Sequence, residues 1–203
     1  ITNGKKLYII GDSHSLVSHN IIVKTDKEQY FGKSFLIQGC KQWHLGNISK
    51  NKYKHKFEKI FESLPKLSDV LLVFGEIDCR LDEGIIRHKK KNKNLILEEL
   101  INTNLDNYLT YILNINSLCN HNIIIQGIPC PNIKPQNQDL INVIKLFNKN
   151  LQLKSRKIGF DFLNVYKLTD RGDGISNKKW HQDAYHLSQA GMIEAWLKFH
   201  NKI

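Results

Sequence analysis

The chain has 203 residues, 41% hydrophobic and 24% charged, the profile of a single soluble globular domain spanning residues 1–203. No apolar run approaches the roughly 20 residues that cross a bilayer, which excludes a helical membrane span. The formal charge of +11 is carried by lysines spread over 50–59, 89–93 and 145–157. With no nucleic-acid motif and no aromatic residues interleaved with the basic ones, it reads as a solvated surface with no nucleic-acid partner.

The N-terminus, Ile1-Thr2-Asn3-Gly4-Lys5-Lys6, has no signal-type apolar stretch and no starting Met. The expectation is a cytoplasmic chain that is a mature form or a piece of a longer protein. Cys40, Cys79, Cys119 and Cys130 form no CxxC pair and no zinc-type spacing, so four free thiols in a reducing compartment are expected.

In chain order, Lys6–Ile10 is a short β-type run that ends at Gly11, and a helix is expected to open at Ser13 and run through Leu16 and Val17. Ser34–Ile37 is a second strand, ending at Gln38-Gly39. Tyr53, Phe57, Ile60, Phe61 and Leu64 recur at spacings of three and four, the stripe of an amphipathic helix. Asp69–Phe74 is a third strand, ending at Gly75, and the basic stretch Arg87–Asn94 reads as an exposed loop. Leu97 to Leu113 is a long helix, Asn122–Gln126 a fourth strand, and Pro129 and Pro131 mark the loop that follows. Leu140, Val143, Ile144 and Phe147 stripe a further helix, Phe160–Val165 is a weaker fifth strand, and Ala190 to Phe199 a last helix.

Strands that are apolar throughout, rather than alternating, are covered on both faces. The strand–helix alternation therefore predicts an α/β fold, a parallel sheet with helices on both sides. Open sheets of this kind bind ligands beyond the C-terminal ends of their strands. Two motifs fall there.

The first is Gly11-Asp12-Ser13-His14-Ser15. A serine that opens a helix sits among free N–H groups at the positive end of a dipole, suited to stabilising an oxyanion. The plain alternative is that Asp12 or Ser13 only caps the helix. The second motif is Asp183-Ala184-Tyr185-His186. On a turn, Asp183 and His186 can face the same way, the carboxylate fixing the imidazole tautomer. A serine hydroxyl is a poor nucleophile until a base takes its proton, so Ser13, Asp183 and His186 are the candidate catalytic triad. Metal binding by His181, Asp183 and His186 lacks a further suitably spaced partner, so no metal is expected. His14 and His44 are the other histidines that suit a cleft.

These blocks resemble those of the SGNH (GDSL-type) hydrolase superfamily. Gly11-Asp12-Ser13-His14 is similar to its first block and Asp183-Ala184-Tyr185-His186 to its last, Asp-x-x-His. The resemblance runs from about residue 6 to 200. It implies a flavodoxin-like three-layer α/β/α sandwich with a five-stranded parallel sheet. It also implies Ser13 as nucleophile, His186 as base and Asp183 as its orienter. The implied oxyanion hole joins the Ser13 N–H, a glycine N–H and an Asn side chain. Gly39 is the candidate glycine, with Gly46 in the same loop as the alternative.

The third block departs from the family's usual Gly-x-Asn-Asp. Here it reads Gly75-Glu76-Ile77-Asp78-Cys79-Arg80, resembling a subset of the superfamily with this string. Ile77 stands where the Asn would be and cannot donate a hydrogen bond. Arg80, Glu76, Asp78 and His14 are candidate substrate or oxyanion contacts, the plain alternative being a structural ion pair. The resemblance thus implies a serine ester hydrolase without cofactor, plausibly one that removes O-acetyl groups from a carbohydrate. The partner is then an acylated small molecule or glycan. The same triad serves a glycan O-acyltransferase, and a degenerate binding module that keeps the fold is the third reading.

Overall fold

Alternate residues of each central strand feed two separate cores. Tyr8 and Ile10, Val70 and Leu72, and Ile123 and Ile125 point into one; Leu7 and Ile9, Leu71 and Val73, and Ile124 point into the other. This two-sided burial is why the strands read as unbroken apolar runs. The computed structural model describes residues 4–201. The strands are β1 (Lys5–Gly11), β2 (Ile22–Lys24), β3 (Gln29–Leu36), β4 (Asp69–Val73), β5 (Asn122–Gln126) and β6 (Asp161–Leu163). They form one sheet in the order β2-β3-β1-β4-β5-β6.

Five of the six run parallel, and β2 pairs antiparallel with the β3 edge, Val23 opposite Tyr30. The five expected strands are all present. The sixth is three residues of which only Val23 is buried, too short to give a sequence pattern. Counted without β2, the order is second-first-third-fourth-fifth, that of flavodoxin-like sheets.

The helices are α1 (Gln42–Gly46), α2 (Lys52–Ser63), α3 (Glu76–Cys79), α4 (Gly84–Lys91), α5 (Leu97–Asn116), α6 (Gln138–Lys157), α7 (Val165–Thr169) and α8 (Gln189–Asn201). Phe57 and Phe61 of α2, Leu105 and Tyr108 of α5, and Phe147 and Leu151 of α6 fill the larger core. Val165 and Leu168 of α7, and Met192 and Trp196 of α8, close the other face. The helix expected to open at Ser13 is a 3-10 helix, Ser13–Ser18, which leads off β1 on this second side.

One segment differs from expectation. Arg87 to Lys91 belongs to α4, not to a loop. Ile85 and Ile86 anchor that helix in the core, and its basic residues gather in the last turn, where the helix dipole favours cations. No helix among the described residues is long and apolar enough to cross a membrane. All four cysteines are buried and free.

The chain leaves β1 and β4 side by side, and the strand order reverses between them. Gly11 permits their close approach: a Cβ there would lie 2.4 Å from the Val73 carbonyl oxygen and 3.0 Å from Ser15 Cβ. The crevice at this reversal point is where an open α/β sheet places its ligand.

Candidate active site

Asp12 turns the chain out of β1. Its Oδ1 accepts a 2.9 Å hydrogen bond from the His14 N–H and caps the 3-10 helix. Ser15 Oγ donates to the Asp12 carbonyl at 2.7 Å. Asp12 is thus the cap, and the Ser13 hydroxyl is left for another partner. That partner is His186, whose Nε2 lies 3.0 Å from Ser13 Oγ.

His186 is held from the other side by Asp183, with Nδ1 to Oδ2 at 2.8 Å. Asp183 Oδ1 accepts from the Tyr185 and His186 N–H groups at 2.8 and 2.7 Å. Partial burial pushes the Asp183 carboxyl up, but these N–H groups and the His186 ring outweigh it and hold it at about 2. The carboxylate therefore stays an acceptor, which puts the His186 proton on Nδ1 and leaves Nε2 able to receive one. Asn132 Nδ2 donates to the Asp183 carbonyl at 2.9 Å, and the His186 carbonyl accepts from the Gln182 N–H at 3.0 Å. These bonds fix a segment that has neither helix nor strand of its own. His181 is drawn away from this set, with its Nδ1 2.8 Å from Ser176 Oγ.

Gly39 follows β3 in a turn closed by the Cys40 N–H to the Ile37 carbonyl at 3.1 Å, with φ of +70°. Gly46 lies elsewhere, packed on α5 so closely that a Cβ would come within 2.8 Å of the Tyr108 nitrogen. Among the described residues, neither the Ser13 nor the Gly39 N–H has a hydrogen-bond partner within the protein. Ile77 is buried in the core and offers no donor.

The polar residues of the third block separate into two groups. Asp78, only 1% exposed, accepts from the Gln42 and Trp43 N–H groups at 2.8 and 3.0 Å. Burial pushes its carboxyl up to about 6 despite those bonds. It anchors the start of α1, helped by Gln42 Nε2 donating to the Phe74 carbonyl at 2.9 Å. His44 turns back on its own helix, its Nδ1 accepting from the Lys41 N–H at 3.0 Å.

Glu76 and Arg80 point instead toward the Asp183–His186 segment. Arg80 Nε donates to both Glu76 oxygens at 3.0 and 2.9 Å, and its Nη2 lies 2.7 Å from Oε2. The guanidinium sits 5.0 Å from the centre of the Tyr185 ring. His14 lies between these residues and His186. Its ring is stacked on His186 at 4.3 Å and 27°, with Nδ1 2.8 Å from Asp12 Oδ1.

Tyr185, Asn148 and Asn132 join the neighbourhood without a motif role. Asn148 is buried in α6, accepts from the Ile128 N–H at 2.8 Å and donates to the Ile128 carbonyl at 3.0 Å. An amide in the apolar stripe of α6, four residues after Ile144, is a sequence signal for such a tie. It shapes the loop after β5, where a cavity of about 100 Å³ is walled by Ile128, Pro129, Ile133, Leu140 and Tyr185, with Arg80 at its edge. A larger groove of about 810 Å³ runs over α1, α4 and α5, past Trp43, Ile48, Leu95 and Ile96.

No family model and no curated protein matches this sequence. Solved structures do match, over nearly the full chain. An acetyl xylan esterase from Geobacillus stearothermophilus superposes with a TM-score of 0.59 at 14% identity, over 100% of this chain and 95% of that one. A GDSL-like lipase from Bacteroides thetaiotaomicron gives 0.58 at 15%, over 98% and 89%. A lipase/acylhydrolase from Enterococcus faecalis gives 0.56 at 17%, over 97% and 96%. The fold is the one these esterases and acylhydrolases share.

Proposed function

We propose that this protein is a serine ester hydrolase of SGNH type that removes short acyl groups, O-acetyl above all, from a carbohydrate. The observation that carries the reading is the relay Ser13 Oγ to His186 Nε2 to Asp183, at 3.0 and 2.8 Å, at the strand-order reversal of the sheet. Likeness of fold to a GDSL-like lipase and to acetyl xylan esterases supports the ester chemistry and the carbohydrate.

In this mechanism His186 takes the Ser13 proton on Nε2 as Oγ attacks the acyl carbon. The oxyanion receives the free N–H groups of Ser13 and Gly39. His186 then passes its proton to the leaving sugar oxygen, and the C–O bond breaks to leave acyl-Ser13. Water, deprotonated by His186, attacks the acyl carbon, and the carboxylic acid departs as Ser13 regains its proton.

With Ile77 in the third block, the oxyanion hole has two backbone donors and no side-chain one. Loss of one donor lowers kcat by on the order of 10²–10³ in serine hydrolases, so turnover on simple esters is expected to be slow. The test is intact-mass analysis after incubation with a fluorophosphonate, wild type beside Ser13→Ala. A single adduct on wild type alone supports the assignment. No adduct on wild type overturns it and favours a binding module.

A further inference from the structure

Two ring contacts seat the Asp183–His186 segment, and both lead back to one carboxylate. His14 lies flat against His186, and Arg80 lies against Tyr185. Glu76 meets both: it grips Arg80 at Nε and Nη2, and its Oε2 is 3.7 Å from His14 Nε2. A guanidinium held along one edge by a carboxylate has its plane fixed, so the Glu76 grip sets how Arg80 faces Tyr185. His14 is held at Nδ1 by Asp12, and its Nε2, which has no hydrogen-bond partner, faces the Glu76 carboxylate 3.7 Å away, so the charge of Glu76 bears on the ring stacked on His186.

The charges around His14 are arranged for this. It is 5% exposed and faced by Asp12 from its own turn, Glu76 and Arg80 from α3 and its end, and His181, Asp183 and His186 from the C-terminal segment. Burial opposes a cation there, but Asp12 and Glu76 outweigh it and raise the His14 pKa.

We propose that Glu76 is a positioning residue for the base, seating His186 through His14 and Tyr185 through Arg80. On this view the third block, which lacks an oxyanion donor at Ile77, serves the base loop. The inference rests on the triad reading above.

The test is the rate of fluorophosphonate labelling at Ser13, resolved into kinact and Ki, for wild type, Glu76→Gln and Arg80→Lys. Lysine keeps the charge of Arg80 but cannot make the two-point grip on Glu76 that fixes the guanidinium over Tyr185. Misorientation of the base is expected to lower kinact by about 10- to 100-fold in both variants, with Ki within about twofold of wild type. Should Glu76→Gln fail to fold, Arg80→Lys carries the test alone, since its side chain is part-exposed. Label on wild type with kinact unchanged in the variants defeats this inference alone, as does a raised Ki with kinact intact, the mark of a substrate contact. No label on wild type defeats the triad reading and this inference with it.

Discussion

Asp183 orients His186 in the proposed triad and takes no proton itself, so its loss and the loss of the base differ in degree. Asp183→Asn keeps the shape but lets the amide favour the wrong imidazole tautomer, and kcat on an acetyl ester is expected to fall by on the order of 10⁴. His186→Ala removes the base and is expected to cost on the order of 10⁶. Steady-state kinetics of the two variants decide this; equal losses would mean that Asp183 does more than orient. Asp78 permits a second comparison, on stability. Folded, its carboxyl releases its proton near 6, against 3.8 for an unperturbed one. Between those values the folded state binds more protons than the unfolded, so stability falls as pH rises through the window. By neutral pH the ionised group has taken away about 3 kcal/mol. Asp78→Asn lacks that proton, and its stability relative to wild type is expected to improve by about this amount between pH 4 and pH 7 in urea unfolding. A constant difference across that range would show that burial does not govern Asp78. Such roles differ in how far the sequence reveals them. Ser13, Asp183 and His186 stand out in the sequence because the proposed chemistry needs those residue types together, although Ser13 alone of the three closely follows a strand. The direction in which Glu76, Asp78 and Arg80 turn does not, because four residues of α3 fan them to opposite sides.

The elements that meet at the site are β1 and β4, and their spacing depends on Gly11. A methyl group there would press on the Val73 carbonyl, backbone that cannot move without shifting β4. Gly11→Ala is expected to lower stability by about 1–3 kcal/mol through overpacking. It should also lower Ser13 labelling in protein that remains folded, because Ser13 lies two residues after Gly11 and strain at the β1–β4 contact passes into the turn that carries it. A thermal midpoint equal to wild type would show that the strands part freely. The parallel strands were legible because burial on both faces leaves no polar alternation to confuse the pattern. Edge strand β2 was not, because a three-residue strand paired on one side needs a single apolar residue, Val23. Helix α4 was hidden by composition: Arg87, His88 and three lysines outweigh Ile85 and Ile86, the two residues that fasten it.

Across the whole molecule the four thiols report on how tightly the larger core and the loop after β5 are closed. Cys40 and Cys79 lie on the α2–α5–α6 side of the sheet, Cys119 at the end of α5, and Cys130 in the loop after β5. All four are buried, and burial pushes the Cys40, Cys79 and Cys130 thiols well above their ordinary value, Cys130 to about 12. The thiolate is the reactive form, so both access and ionisation protect these groups. In the folded protein at pH 8, none is expected to react quickly with a disulfide reagent such as DTNB; in guanidinium all four should. The order of slow reaction then separates local from global opening. Cys119, the most exposed of the four at 9%, sits at a helix end and is expected to react first, by local fraying. Cys79, fully covered at the end of α3, should react only as fast as the whole domain unfolds. If Cys79 instead leads, the α3 segment opens independently of the core, and a rigid support for the base loop from Glu76 and Arg80 would be untenable.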